Sequence, residues 1–316
     1  MVVNMVNVVV VGTIGLDGVE TPFGKVQDVL GGSASYASYA SSFFAKTGLV
    51  SIIGKDFPQT YKDVLEKKGI DFQGVVFDEK DGKTFRWEGA YEYDMNEAKT
   101  KKTELNALQH FKAELPPPYK KAKFVFVGNN DPDLQIKVIE QLENPELIVM
   151  DTMNLWITIK KQKVLEAISK VDMLVFNEGE ARQLFQTTNL LHAAKKVLAL
   201  GPCAVIIKKG EHGALLFTKD SKDFKSSHFS APGYPLEVIK DPTGCGDTFG
   251  GGLIGYLAQQ ANEGKKMDES TLRKAIVYGS VLASFNAEDF SLYRMQKLSW
   301  EEIEKRFNEF KAMREF

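Results

Sequence analysis

Apolar positions along the chain fall into short continuous runs separated by segments of helical period. Residues 6–11 form a valine-rich run ending at Gly12, the pattern of a strand buried on both faces. Residues 49–53 repeat it, and residues 56–68 place Phe57, Tyr61, Val64 and Leu65 at helical spacing. From Phe124 onward the rhythm is regular. Strands are predicted at 124–128, 147–151, 173–177 and 204–208, with helices at 134–142, 164–168, 179–185 and 192–200. That alternation predicts βαβ units and an α/β fold, a doubly wound, mostly parallel sheet flanked by helices. Residues 204–217 read as strand, glycine turn and strand, residues 247–260 and 271–285 as helices, and residues 300–316 as an amphipathic C-terminal helix.

One region breaks the rhythm. Residues 75–77, a turn at 80–82 and residues 84–88 predict a hairpin, followed by an alternating strand at 90–94. Residues 99–114 carry many charges and predict a linker with a solvated helix, closed by the stiff Pro116-Pro117-Pro118. Antiparallel strands inserted among βα units predict a small sheet projecting from one domain spanning residues 1–316.

Composition narrows the function classes. Hydrophobic residues at 43% and charged residues at 26% fit a globular protein with a substantial core. Forty basic residues against 42 acidic ones, with no basic block, speak against nucleic acid or an anionic membrane as partner. Cys203 and Cys245 make neither a disulfide framework nor a zinc site, and a reducing cytoplasm suits them. The apolar opening lacks a basic flank and reads as a first strand rather than a signal peptide.

Candidate chemistry centres on residues 241–252, Asp-Pro-Thr-Gly-Cys-Gly-Asp-Thr-Phe-Gly-Gly-Gly, which follow a β-like run and open a helix. Gly244 and Gly246 allow close approach to the backbone, and the N–H groups of Gly244, Cys245 and Gly246 are expected to converge where an anion is favoured. Asp247, three residues after Gly244, falls beside that hole. Such a pair suits phosphoryl transfer to a hydroxyl, with amides stabilising the moving phosphate and the carboxylate accepting the proton. A glycine-rich N-cap with a dipole-favoured acidic residue accounts for the same residues without chemistry.

Weaker signals sit elsewhere. Asp17 lies in a predicted turn at the carboxyl end of the first strand, where ligands collect in open α/β sheets, although a surface turn also explains it. Gly31-Gly32 opens a helix of small residues that suits close packing on the sheet. Asn177 and Glu180 can face a metal–water cluster beside a polyphosphate, or cap a helix reciprocally. Lys208, at a strand end, can reach a phosphate or be solvated.

Taken in order, these features resemble the ribokinase-like (PfkB-type) carbohydrate kinases, whose signature reads Asp-Thr-x-Gly-Ala-Gly-Asp; Pro242 and Cys245 are mild departures. The resemblance implies an ATP-dependent kinase of a small sugar, with Asp247 as base and Gly244, Cys245 and Gly246 as anion hole. It implies ATP and Mg²⁺ beside Asn177, Glu180, Lys208, Gly210 and Gly213, and K⁺ at Asp241 and Thr243. The acceptor falls to Asp17, Gly31, Gly32 and Tyr36, under a lid formed by residues 16–30 and 72–105 that can also pair into a homodimer. Tyr36 stands where the family has a sugar-binding asparagine, and Gly15 where ribose-specific members have a polar residue. Both departures point away from ribose, toward a larger or less hydroxylated acceptor or one held by stacking. A nucleoside kinase, or a non-catalytic nucleotide- or sugar-binding protein on the same fold, are the alternatives. No Gly-x-Gly-x-x-Gly follows the first strand, which disfavours a dehydrogenase.

Overall fold

The computed structural model of the protein describes residues 6–80, 82–220 and 227–314. Asp81 of the predicted 80–82 turn, the start of the opening apolar stretch and the last two residues of the C-terminal helix lie outside these residues. The chain begins with β1 (Val8–Val11), β2 (Gly15–Thr21) and β3 (Gly24–Gly31), then α1 (Ser33–Ser41), β4 (Thr47–Ile53), α2 (Gln59–Lys67) and β5 (Asp71–Phe77). After β6 (Phe85–Ala90) and β7 (Lys99–Glu104) come α3 (Pro117–Lys120), β8 (Phe124–Val127), α4 (Pro132–Ile139) and β9 (Leu147–Asp151). Helices α5 (Asn154–Ile159) and α6 (Lys161–Ile168), β10 (Met173–Asn177), α7 (Glu178–Phe185), α8 (Leu190–Leu200) and β11 (Ala204–Lys208) continue the alternation. The end of the chain holds β12 (Ala214–Thr218), β13 (Ser227–Ala231), α9 (Cys245–Asn262), α10 (Glu269–Asn286) and α11 (Trp300–Ala312).

The main sheet has nine strands in the order β13-β12-β11-β10-β9-β8-β1-β4-β5. From β11 to β5 neighbouring strands are parallel, and β12 and β13 add an antiparallel edge. Period-2 alternation sends Val8 and Val10 into one apolar layer, with α1, α9 and α10, and Val9 and Val11 into the other, with α4 and α6 to α8. Burial on both faces is why these strands read as unbroken apolar runs.

The second sheet has the order β3-β2-β6-β7, and the strand pairing corrects four expectations. Residues 15–17, expected in a turn, begin strand β2, so Asp17 sits on β2 at a bulge between Asp17 and Val19. Residues 75–77 pair in parallel with Ser51–Ile53 on the edge of the main sheet, not in a hairpin with 84–88. Period-2 alternation marks a strand without stating its partner, and Gly82 lies in a crossover between sheets. Residues 91–94 extend no strand, and residues 99–104, expected in a linker, form β7. That strand, Lys-Thr-Lys-Lys-Thr-Glu, is an exposed edge whose lysines discourage further pairing, which is why no apolar signal marks it. Pro117 and Pro118 also open a short helix rather than an extended break, since proline suits a first helical turn. Residues 232–240 hold no strand before the glycine motif.

Helices α1 and α9 meet backbone to backbone, so the small residues of α1 serve a helix as well as the sheet. A Cβ on Gly251 would stand 2.1 Å from Ala37 O, and one on Gly255 would stand 2.8 Å from Ser41 Cα. A Cβ on Gly252 would first meet a flexible tip, Leu282 Cδ1, at 3.0 Å. Gly251→Ala is therefore expected to lower stability by about 1–3 kcal/mol through overpacking, with a smaller loss for Gly252→Ala. Urea unfolding of both variants checks the order.

Candidate active site

Residues 242–245 form a tight turn in which Cys245 N–H donates to Pro242 O (3.1 Å). Gly244, at φ 74° and ψ 1°, occupies the glycine position of a type II turn and is the N-cap of α9. The thiol of Cys245 is pushed up to about 12 by burial and is chemically quiet. Of the N–H groups expected around an anion, that of Cys245 closes the turn and that of Gly246 has no carbonyl a turn earlier in α9, while Asp247 N–H faces its own carboxyl. The turn is braced from behind. Asp241 Oδ1 accepts from Thr243 N–H (2.9 Å), Asp241 Oδ2 from Ser291 N–H (3.4 Å), and Asn286 Nδ2 donates to Thr243 O (2.8 Å).

Asp247 lies in the first turn of α9, and burial, then the charge of Asp151, push its carboxyl up to about 7. Lys208, the last residue of β11, stretches to the turn: a Cβ on Gly246 would lie 2.8 Å from its Nζ. Its Nζ donates to Asp151 Oδ2 at 2.6 Å. Burial works against the ammonium, but Asp151, Glu180 and Asp247 outweigh it and hold the Lys208 pKa above the ordinary lysine value. Burial likewise pushes Asp151 up, opposing the pair; a 2.6 Å contact, with Asp151 Oδ1 also accepting Thr152 N–H (2.8 Å), favours the ionic form. Asn177 and Glu180 form a capping box at the start of α7: Glu180 N–H donates to Asn177 Oδ1 (2.8 Å) and Asn177 N–H to Glu180 Oε2 (2.7 Å). Burial, then Asp151, raise the Glu180 carboxyl to about 8.

The expected acceptor residues form a buried cluster next to the turn. Gly32, at φ 91°, is the N-cap of α1, and its N–H lies toward Asp17, favouring the charged carboxylate. A Cβ on Gly31 would lie 1.9 Å from Asp17 Oδ2, so only glycine leaves room for that carboxyl. Asp17 Oδ1 and the Tyr36 hydroxyl are both buried without a hydrogen-bond partner. The Tyr36 ring lies flat on Gly244, where a Cβ would fall 2.4 Å from its Cγ. Tyr91, the residue that follows β6, reaches the same turn and its hydroxyl accepts from Thr243 Oγ1 at 3.2 Å.

A cavity of about 940 Å³ opens on the other side of the turn. Asn177, Lys208, Gly210, Gly213, Cys245 and Gly246 line it, whereas Glu180, also expected beside the nucleotide, does not; its volume is in the range of small-molecule sites. Asn96 lies over Gly210, its Oδ1 only 1.8 Å from where a Cβ would stand. Asp17, Tyr36 and Asp247 do not line this cavity. Asp247 acts electrostatically on both sides, raising Asp17 and helping to hold Lys208 charged. Sequence reasoning missed Asp151, Tyr91 and Asn286. Asp151 ends a parallel strand at its carboxyl end, the same signal that marked Asp17. Tyr91 and Asn286 carry no comparable mark. Among the described residues no group of three or more His, Cys, Asp or Glu side chains is placed to hold a metal, and no helix is long and apolar enough to cross a membrane.

Burial, then Asp241, raise the Asp17 carboxyl from 3.8 to about 8. The unfolded chain loses that proton near pH 4 while the folded one keeps it to about pH 8, so stability falls as pH rises through this window. Asp17→Asn, which keeps an acceptor for Gly32 N–H, is expected to raise the melting temperature of the ligand-free protein, with a gain that grows from pH 5 to pH 8. Thermal denaturation across that range checks it, and a gain independent of pH would contradict it.

Comparison with known proteins agrees with this geometry. The model of the pfkB family carbohydrate kinases matches residues 5–297. A cytidine kinase of Thermococcus kodakarensis is 31% identical over 260 residues, covering 80% of this chain and 89% of that protein. The crystal structure of a Methanocaldococcus jannaschii nucleoside kinase, described as an archaeal member of the ribokinase family, superposes with a TM-score of 0.75 at 20% identity, covering 96% of this chain and 99% of that one. A Burkholderia thailandensis nucleoside kinase in complex with inosine gives a TM-score of 0.75 at 19% identity, covering 96% and 99%. The chain belongs to the pfkB family of carbohydrate kinases and is an ATP-dependent kinase whose acceptor is an alcohol group of a sugar or a nucleoside.

Proposed function

We propose that the acceptor is a nucleoside and that Asp247 is the general base. The observation that carries the chemistry is the placement of a half-buried carboxyl, raised to about 7, in the first turn of a helix that opens on a glycine turn. A base with a pKa near the working pH combines a usable deprotonated fraction with enough driving force to take a hydroxyl proton. The Gly246 N–H and the Lys208 ammonium would then face the charge on the transferred group. Asp17 Oδ1, buried and without a partner, suits a hydroxyl of the acceptor's sugar. Two things favour a nucleoside over a free sugar: the relatives named cytidine kinase and nucleoside kinase, and a tyrosine at position 36.

ATP sits in this reading in the 940 Å³ cavity, along Gly210 and Gly213. A magnesium ion would be held chiefly by ATP phosphates and water, as this ion usually is in phosphoryl-transfer sites. Asn177 and Glu180 would support its water shell, and the ion would neutralise phosphate charge. Asp241 and Thr243 fit bracing of the turn, since both carboxylate oxygens of Asp241 already accept backbone N–H groups. The small sheet is the lid in this reading. Tyr91 ties it to the turn, and closure would exclude water that competes with the acceptor.

The test is ADP release with Mg-ATP across nucleosides, pentoses, hexoses and ketoses. A nucleoside is expected to turn over with a kcat/KM at least ~100-fold above free ribose, since the site then uses contacts to the base. Turnover of a free sugar alone would replace the nucleoside reading. Asp247→Asn is expected to lower kcat by ~10²–10⁴-fold with little change in ATP affinity. The pH profile carries the sign: the base works deprotonated, so activity should fall as pH drops below about 7, and that limb should vanish in Asp247→Asn.

A further inference from the structure

Asp151 contributes no backbone to the glycine turn and lies two strands from Lys208, with β10 between them. In register, Asp151 pairs with Val175 of β10, and Asn177 of β10 pairs with Lys208. Alternate strands of a sheet stand roughly 10 Å apart, so the contact spans a full strand diagonally. Lys208 bridges that gap with an almost fully buried stem, its side chain 17% exposed, and ends 2.6 Å from Asp151 Oδ2. The anchor is itself fixed. Asp151 Oδ1 accepts Thr152 N–H at 2.8 Å, and the Asp151 carbonyl accepts from Gln135 Nε2 at 2.9 Å. Gln135 is buried and also holds Gly128 O, so the end of β9 is tied to α4.

We infer that Asp151 is a positioning residue for phosphoryl transfer: it draws the Lys208 ammonium across β10 to Gly246 and keeps it off Asp247. The inference rests on the reading of Lys208 as a phosphate contact. Four ionisable groups from four elements act on one another here, Asp151 of β9, Glu180 of α7, Lys208 of β11 and Asp247 of α9, with Asp17, Asp241 and Cys245 near the same helix end. Three of the four are carboxyls, and one ammonium serves them all. Without Asp151 the ammonium is free to pair with the base, which both removes the proton acceptor and takes the cation from the phosphate's path. With Asp151 in place, the amine has a resting partner that is not the base. It remains beside the helix N-terminus, where an incoming phosphoryl group completes its hydrogen bonds.

The test is a double-mutant cycle. Asp151→Asn keeps the shape and the acceptor for Thr152 N–H while removing the charge. It is expected to lower kcat by about 10–100-fold with KM for the acceptor changed less than about twofold, as befits a group acting on the transferred phosphate. In a Lys208→Met background the same substitution should cost less than about twofold more, because its effect runs through the amine. Losses that multiply would make Asp151 a structural residue and overturn the inference, as would near-normal kcat in Asp151→Asn alone. Lys208→Gln provides a second neutral background should the methionine variant misfold, with thermal denaturation as the check. Calorimetry of ATP and ADP binding separates this inference from the nucleoside reading. Lys208→Met should weaken ATP more than ADP, and Asp151→Asn should reproduce that difference only where Lys208 is present. If wild type turns over no nucleoside, the acceptor reading fails while this binding cycle still decides the role of Asp151; equal effects on ATP and ADP would overturn it.

Discussion

The site depends on the approach of α9 to α1 without side chains between them. Gly251 against Ala37 and Gly255 against Ser41 bring the two backbones together. That contact sets the distance between the turn at Gly244 and the Asp17–Gly32 cluster, because α1 begins at Gly32 and α9 at Gly244. A helix pair spaced by leucines would hold axes at ordinary packing distance and separate the turn from the Asp17–Gly32 cluster. Here the first turn of each helix meets the other through the Tyr36 ring lying on Gly244.

The same closeness concentrates charge. Asp17, Glu180 and Asp247 are carboxyls pushed up to about 8, 8 and 7, each chiefly by burial. A ligand-free protein must hold these groups in a dry setting with one buried lysine among them, which disfavours folding. Function explains why they persist. In the proposed mechanism such a cluster would make a base usable near neutral pH and a cation available to phosphate, and the Asp151–Lys208 contact would apportion the charge between those tasks.

The main sheet was legible in the sequence because parallel strands buried on both faces appear as unbroken apolar runs, as in residues 124–127 and 173–176. The glycine motif was legible because few other needs gather two glycines, a proline and two aspartates in seven positions. The small sheet was only half legible. Its existence followed from alternation, but Asp17 on β2, Val75 on the edge of the main sheet and the lysine-rich β7 depend on which strand pairs with which, and period 2 is silent on that. Of the two readings weighed for Asn177 and Glu180 the structure shows the capping one, since they cap α7 reciprocally, and Asn177 also lines the cavity. The commitment of Cys245 N–H to Pro242 O is a matter of turn closure, invisible in residue identity.

Glycine-to-neighbour pairs recur through the site: Gly31 with Asp17, Gly244 with Tyr36, Gly250 with Phe126, Gly251 with Ala37. In each, the absent side chain of one position is occupied by atoms of the other. Such positions constitute epistatic units, in which the effect of a substitution depends on its partner's identity. Where the partner atom is a side chain, as at positions 17, 36 and 126, the order of change is constrained: the neighbour must shrink before the glycine can grow. Where it is backbone, as at Ala37 O, no single compensating change exists. Descendants of this chain are thus freer to vary what surrounds Gly244 than what surrounds Gly251, although Gly251 touches no reacting group.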